Sequence, residues 1–163
     1  MEERLKNLPE DAKEKYKENK RFFSILKKRR IKRLDLLVQE IHHKVFEQTD
    51  CLACGNCCKT TSPIFTEKDI KRIAKHLRMK EHAFIDFYLH RDEDDFWVLN
   101  EAPCAFLDLN DNMCTIYDVR PKACEGYPHT DRKKFTQITD LTLNNTSICP
   151  AVFDIVEELK TKF

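Results

Sequence analysis

Residues 51–58 read CLACGNCC, four thiols within eight residues. A cysteine in a core behaves as a small apolar residue, but that reading does not explain so dense a run. Thiolates are ligands for zinc and for iron–sulfur clusters. Four further cysteines follow singly, at Cys104, Cys114, Cys124 and Cys149, and none precedes residue 51. The first twenty residues are densely charged and lack the apolar stretch of a signal peptide. A cytoplasmic location is therefore expected, where thiols stay reduced and eight cysteines point to metal or redox chemistry rather than disulfides. The candidate metal ligands are Cys51, Cys54, Cys57, Cys58, Cys104, Cys114, Cys124 and Cys149.

On a helix, positions 51, 54, 57 and 58 would fan over about 0°, 300°, 240° and 340° at 100° per residue. Gly55 makes a wrapped loop the better expectation. A C-x2-C-x2-C turn followed by a remote Cys-Pro is the ferredoxin arrangement, and Cys149-Pro150 supplies such a pair. Zinc is the competitor, although its four-cysteine sites usually use two C-x2–4-C hooks and only Cys51/Cys54 makes one. Eight thiols exceed one four-ligand centre, and adjacent Cys57 and Cys58 point in different directions. Two four-sulfur sites, or one site plus buried structural thiols, both fit. His129 is the one histidine singled out as a further ligand. Arg120 is expected either to offset the charge of a thiolate centre or to pair with Asp118 at the surface.

Helices and turns must bring these residues together. Residues 10–47 read as helix, broken once, with Leu34, Leu37, Val38, Ile41 and Val45 as an apolar stripe at helical spacing. Phe22, Phe23, Ile25 and Leu26 form an earlier docking patch. Between the two lies KKRRIKR, residues 27–33, read as a solvated face that could meet a protein partner. Nucleic acid is not expected there, because no aromatic platform or recognised motif accompanies it. Thr66 and Asp69 form a capping box ahead of Ile70, Ile73, Ala74 and Leu77. A short helix follows over 81–89. RDEDD at 91–95 reads as a polar loop. FWVL, CAFLDL and CTIYDV read as strands, the last two joined by a turn at 110–112 with Cys104 and Cys114 at the hairpin's flanks. Pro121 opens a helical turn carrying Cys124, and a terminal helix spans about 152–162.

Composition frames this picture. The net charge of +1 hides a basic first segment: residues 1–48 carry 14 Lys and Arg against 9 Asp and Glu, and the remainder 15 against 19. The chain has two glycines, Gly55 and Gly126, both beside cysteines. No run of eighteen apolar residues exists to span a membrane. The expected fold is α+β and mostly helical. Its basic amphipathic helical segment, 1–48, docks on a cysteine-cluster, metal-organised domain, 49–163, with a short β-hairpin and a terminal helix.

CLACGNCC, CAFLDLNDNMCTIYDVRPKACEGYP and ICP together resemble the CxxCxxCC cysteine-cluster family, also called YkgJ-like. The likeness covers about residues 50–150. It departs at Asp111-Asn112, where the family often has glycine. The resemblance implies chelation of zinc or iron through the cysteines, with a redox or accessory role. Flagellin lysine methylases share the cluster, which implies, in that branch, an iron–sulfur site linked to methyl transfer from S-adenosylmethionine. This chain is short for such an enzyme and lacks a Gly-rich nucleotide loop. The alternatives are a metal-dependent protein-modifying enzyme of the flagellin lysine methylase kind and a metal-stapled protein interaction module.

Overall fold

The computed structural model describes residues 1–163. Helix α1 runs Glu2–Lys28 and α2 Leu34–Glu47. One-turn helices α3 (Cys51–Cys54) and α4 (Asn56–Thr60) follow, then α5 (Glu67–His76) and α6 (Glu81–Tyr88). Strands β1 (Leu89–Arg91) and β2 (Trp97–Leu99) come next. A 3-10 turn over Tyr117–Val119 precedes α7 (Lys122–Glu125). A second, over Phe135–Ile138, leads into α8 (Thr139–Asn145), and α9 (Pro150–Lys160) ends the fold. The class is mostly helical α+β. No helix is long and apolar enough to cross a membrane.

Packing groups the chain differently from composition. One compact unit comprises residues 1–54 with 128–163, the other residues 55–127. In the first, α1 and α2 pack on α9. The stripe on α2 does what its period requires: Leu34, Val38 and Ile41 are buried among Phe23, Leu26, Phe135, Val152, Ile155 and Val156. The single break in the long helix falls at residues 29–33, where Arg33 takes the left-handed conformation at φ 63°. KKRRIKR straddles that break, and its lysines and arginines are exposed. Asp35 at the start of α2 accepts the amides of Lys134 (2.7 Å) and Phe135 (3.0 Å), which fixes the second 3-10 turn against the helix.

The second unit has its own core of Phe65, Ile70, Ile73, Ala74, Phe84, Leu89, Leu99, Phe106 and Ile116. Its ladder is antiparallel, pairing Leu89 with Leu99, His90 with Val98 and Arg91 with Trp97. The polar loop over 91–95 is the turn of this hairpin, with Asp92 Oδ1 accepting the amides of Asp94 (3.0 Å) and Phe96 (2.8 Å). The hairpin expected over CAFLDL and CTIYDV is reduced to a single bridge, Leu107 to Cys114. Side-chain turns shorten it at one end, Asp108 accepting the Asn110 amide and Asp111 the Met113 amide, each at 2.9 Å. At the other end the chain tightens into the 3-10 turn at Tyr117. Local aspartate bonds of this kind compete with a ladder.

Phe135 is fully buried and meets the Phe23 ring edge-on, at a centroid distance of 6.2 Å. Truncating a buried phenylalanine removes its burial and leaves a cavity. Phe135→Ala is expected to cost about 3–5 kcal/mol, read as a lower urea midpoint at unchanged slope. A change below about 1 kcal/mol would contradict this account of the first core.

Candidate metal centre

Within residues 55–127, three backbone contacts assemble the cysteines. Helix α4 carries Cys57 and Cys58 and starts at Gly55, whose φ of 59° suits glycine. A Cβ there would lie 2.8 Å from Asn112 Cγ, so the position also needs the missing side chain. The Cys104 amide donates to the Cys58 carbonyl at 2.8 Å, and the Leu107 amide donates to the Cys104 carbonyl at 3.0 Å. Leu107 in turn bridges Cys114. Cys58, Cys104 and Cys114, far apart in sequence, are thereby tied together through the main chain.

Cys124 sits on α7, and an acidic residue read from sequence only as a helix cap anchors the approach to it. Asp69 is fully buried. It closes the expected capping box with Thr66, accepting the Thr66 amide at 2.9 Å while its own amide donates to Thr66 Oγ1 at 3.1 Å. Its other oxygen accepts from Arg72 (2.6 Å) and from the Lys122 amide (3.2 Å). Arg72 then donates to the carbonyls of Arg120 (2.8 Å) and Val119 (3.3 Å). Sequence reasoning missed Arg72. Its signal was the i, i+3 spacing from Asp69, which places the two on one face of α5.

The thiols of this unit feel one another. Cys124 lies within electrostatic reach of Cys58, Cys104 and Cys114. Burial pushes its thiol up to about 12, and those three neighbours add to the rise while Arg120 opposes it. Burial likewise lifts Cys104 to about 11 and raises Cys114. Cys58 moves the other way, to about 7, because Cys57 hydrogen-bonds to it and Lys59 is near. The desolvated thiols of Cys104, Cys114 and Cys124 thus resist ionisation, a balance that a bound cation would reverse.

The other unit holds Cys51, Cys54 and Cys149. Cys51 and Cys54 close the single turn of α3, with Asp50 Oδ1 accepting the amides of Leu52 (3.0 Å) and Ala53 (3.1 Å). Cys149 is the N-cap of α9, and its amide donates to the Asn145 carbonyl at 2.9 Å. It packs against the first core and feels Cys54 and Cys51, and burial pushes its thiol up to about 11. His129 belongs to this unit, at φ 66°, with its imidazole pKa lowered by burial. His42 is half-buried and bonds Thr130 Oγ1 through Nδ1 at 2.7 Å. No disulfide links the eight cysteines. No three histidine, cysteine or carboxylate side chains stand close enough to hold a single ion.

Arg120 packs on Tyr117 within electrostatic reach of two thiols. Its guanidinium lies 3.9 Å over the Tyr117 ring and donates to the Tyr117 carbonyl at 2.6 Å, and its charge opposes the rise at both Cys114 and Cys124. The planar cation is held by an aromatic face rather than by Asp118.

Compared with known families, residues 50–149 match the CxxCxxCC family, described as "Putative zinc- or iron-chelating domain". No solved structure matches the chain.

Two expectations test this scaffold. Gly55→Ala should destabilise the unit by about 1–2 kcal/mol from the left-handed conformation alone, and more from the clash with Asn112. Asn112→Gly should recover part of the loss in chemical denaturation, whereas equal loss in both backgrounds would contradict the contact. Burial raises the Asp69 carboxyl, but bonds from Thr66, Arg72 and the Lys122 amide outweigh it, so its pKa is lowered from the usual 3.8. Its contribution is therefore complete above the unfolded value and lost as pH falls through the lower folded value. The stability gap between wild type and Asp69→Asn should shrink below about pH 4. A gap independent of pH would remove the charged role.

Proposed function

The chain belongs to the CxxCxxCC family, and we propose that it is a metal-binding protein whose cysteine cluster holds an iron–sulfur centre, with zinc as the competing occupant. The observation that carries this reading is the set Cys58, Cys104, Cys114 and Cys124, mutually within electrostatic reach and partly buried in one compact unit. Cys57 adjoins it, while Cys51, Cys54 and Cys149 are candidate ligands in the other unit.

What supports the cluster over zinc is the run C-x2-C-x2-C with a remote Cys149-Pro150, whereas four-cysteine zinc sites usually use two C-x2–4-C hooks and only Cys51/Cys54 makes one. The donor chemistry suits either occupant, since both take deprotonated cysteine. The Arg120 charge, which opposes the rise at Cys114 and Cys124, supports a part in offsetting the negative charge such a centre would carry, a charge that tunes a redox potential. The role proposed is therefore redox or accessory.

Protein purified without oxygen from iron-replete cells should be coloured, with sulfur-to-iron absorption and both iron and acid-labile sulfide. A colourless preparation carrying zinc would overturn the iron–sulfur reading in favour of zinc. Protein that takes up neither metal would overturn the function itself.

A further inference from the structure

We propose that the groove between the carboxy-terminal half of α1 and the end of α9 docks an acidic amphipathic helix of a partner protein. Its walls belong wholly to the unit formed by residues 1–54 and 128–163, and none of them is a cysteine. Docking there is independent of the metal-binding function proposed above.

The groove encloses about 610 Å³. Phe22 and Ile25 of α1, Ile31 of the following loop and Phe163 beyond α9 give it an apolar floor. Ile25 is 38% exposed and Phe163 50%, so this floor is open to solvent. The Phe22 and Phe163 rings lie 6.2 Å apart and tilted by 50°, which closes one end of the floor without making a flat platform.

Positive charge surrounds that floor. Four cationic side chains line the groove, Lys17, Arg21, Arg29 and Lys160, against one anionic side chain, Glu18. Glu18 is already held by Lys160 at 2.6 Å and by Lys15 at 3.3 Å. Lys17, Arg21 and Arg29 are exposed and pair with no carboxylate of the chain. With Ile25 they recur every fourth residue, so the four form one slanting row along α1, about 18 Å long. An apolar side chain therefore stands in line with three unanswered cations.

This pattern selects the occupant. A helix with apolar residues on one face fills such a groove, and carboxylates beside that face meet the row of cations. A bilayer presents a broad plane, which a narrow concave site does not match. A phosphate backbone answers the cations but leaves Phe22, Ile25 and Phe163 without a partner.

The test measures fluorescence anisotropy of a labelled synthetic peptide with full-length protein. The peptide has about 16 residues, long enough to hold a helix, with leucines on one face and glutamates flanking them. It should bind saturably and more weakly as salt is raised. The same peptide with lysine in place of glutamate should not bind. Arg21→Glu with Arg29→Glu, both at exposed positions, should weaken binding by at least about tenfold, and Ile25→Asp should do so with the cations intact. Lys68→Glu with Lys71→Glu, exposed on and beside α5, should leave binding unchanged. Equal binding of the two peptides, or unchanged affinity in the Arg21/Arg29 variant, overturns the proposal. So does binding of oligothymidylate or of phosphatidylserine–phosphatidylcholine vesicles when the acidic peptide does not bind, which would mark a nucleic-acid or membrane site instead.

Discussion

The constraint on which the rest depends is the burial of neighbouring thiols in a partly dry place, to which their mutual repulsion adds. Cys58, Cys104, Cys114 and Cys124 cannot share their surroundings as thiolates without a cation, and burial alone raises the thiols of Cys104, Cys114 and Cys124. All eight cysteines are free thiols, none in a disulfide. A metal centre there, as proposed, would turn the same crowding into cohesion. It would also support a stretch of chain that secondary structure barely holds: between β2 and α7 there is one isolated bridge and one 3-10 turn. A small core of nine buried residues supports that stretch, and domains with so little core commonly need a staple.

The frame around the thiols is correspondingly specific. Gly55 provides a backbone angle and an absence of side chain at the start of α4, where Asn112 occupies the space. Asp69 converts a helix cap into a tether, joining the first turn of α5 to the segment before Cys124 through Arg72 and the Lys122 amide. A buried carboxylate with four donors, one of them a guanidinium, satisfies its own desolvation. Truncating either partner would loosen the approach to Cys124 without touching a sulfur.

Much of this was legible in the residues. The α2 stripe, the capping box at Thr66 and Asp69, the break in the long amino-terminal helix and the turn carrying Cys124 follow from local spacing, which is the information a sequence carries best. The hairpin was misplaced because Asn110, Asp111 and Asn112 signal a turn whether or not a ladder follows, and here Asp108 and Asp111 hold the loop by themselves. The true hairpin was hidden by the acidic run that forms its turn. Arg72 was invisible for a different reason: its partners, the carbonyls of Val119 and Arg120, carry no side-chain signature. The grouping of thiols depends on which core each segment packs against, and spacing along the chain does not encode that.

The central claim is that a bound metal holds the 55–127 unit together, while the helices of the other unit rest on their own apolar core. Segment-resolved hydrogen exchange on the metal-loaded protein, before and after an excess of chelator, tests it most directly. Removal of metal should raise exchange sharply across 100–124 and leave the buried turns of α1, α2 and α9 near their original protection. Unchanged protection across 100–124 after complete metal removal would contradict the account.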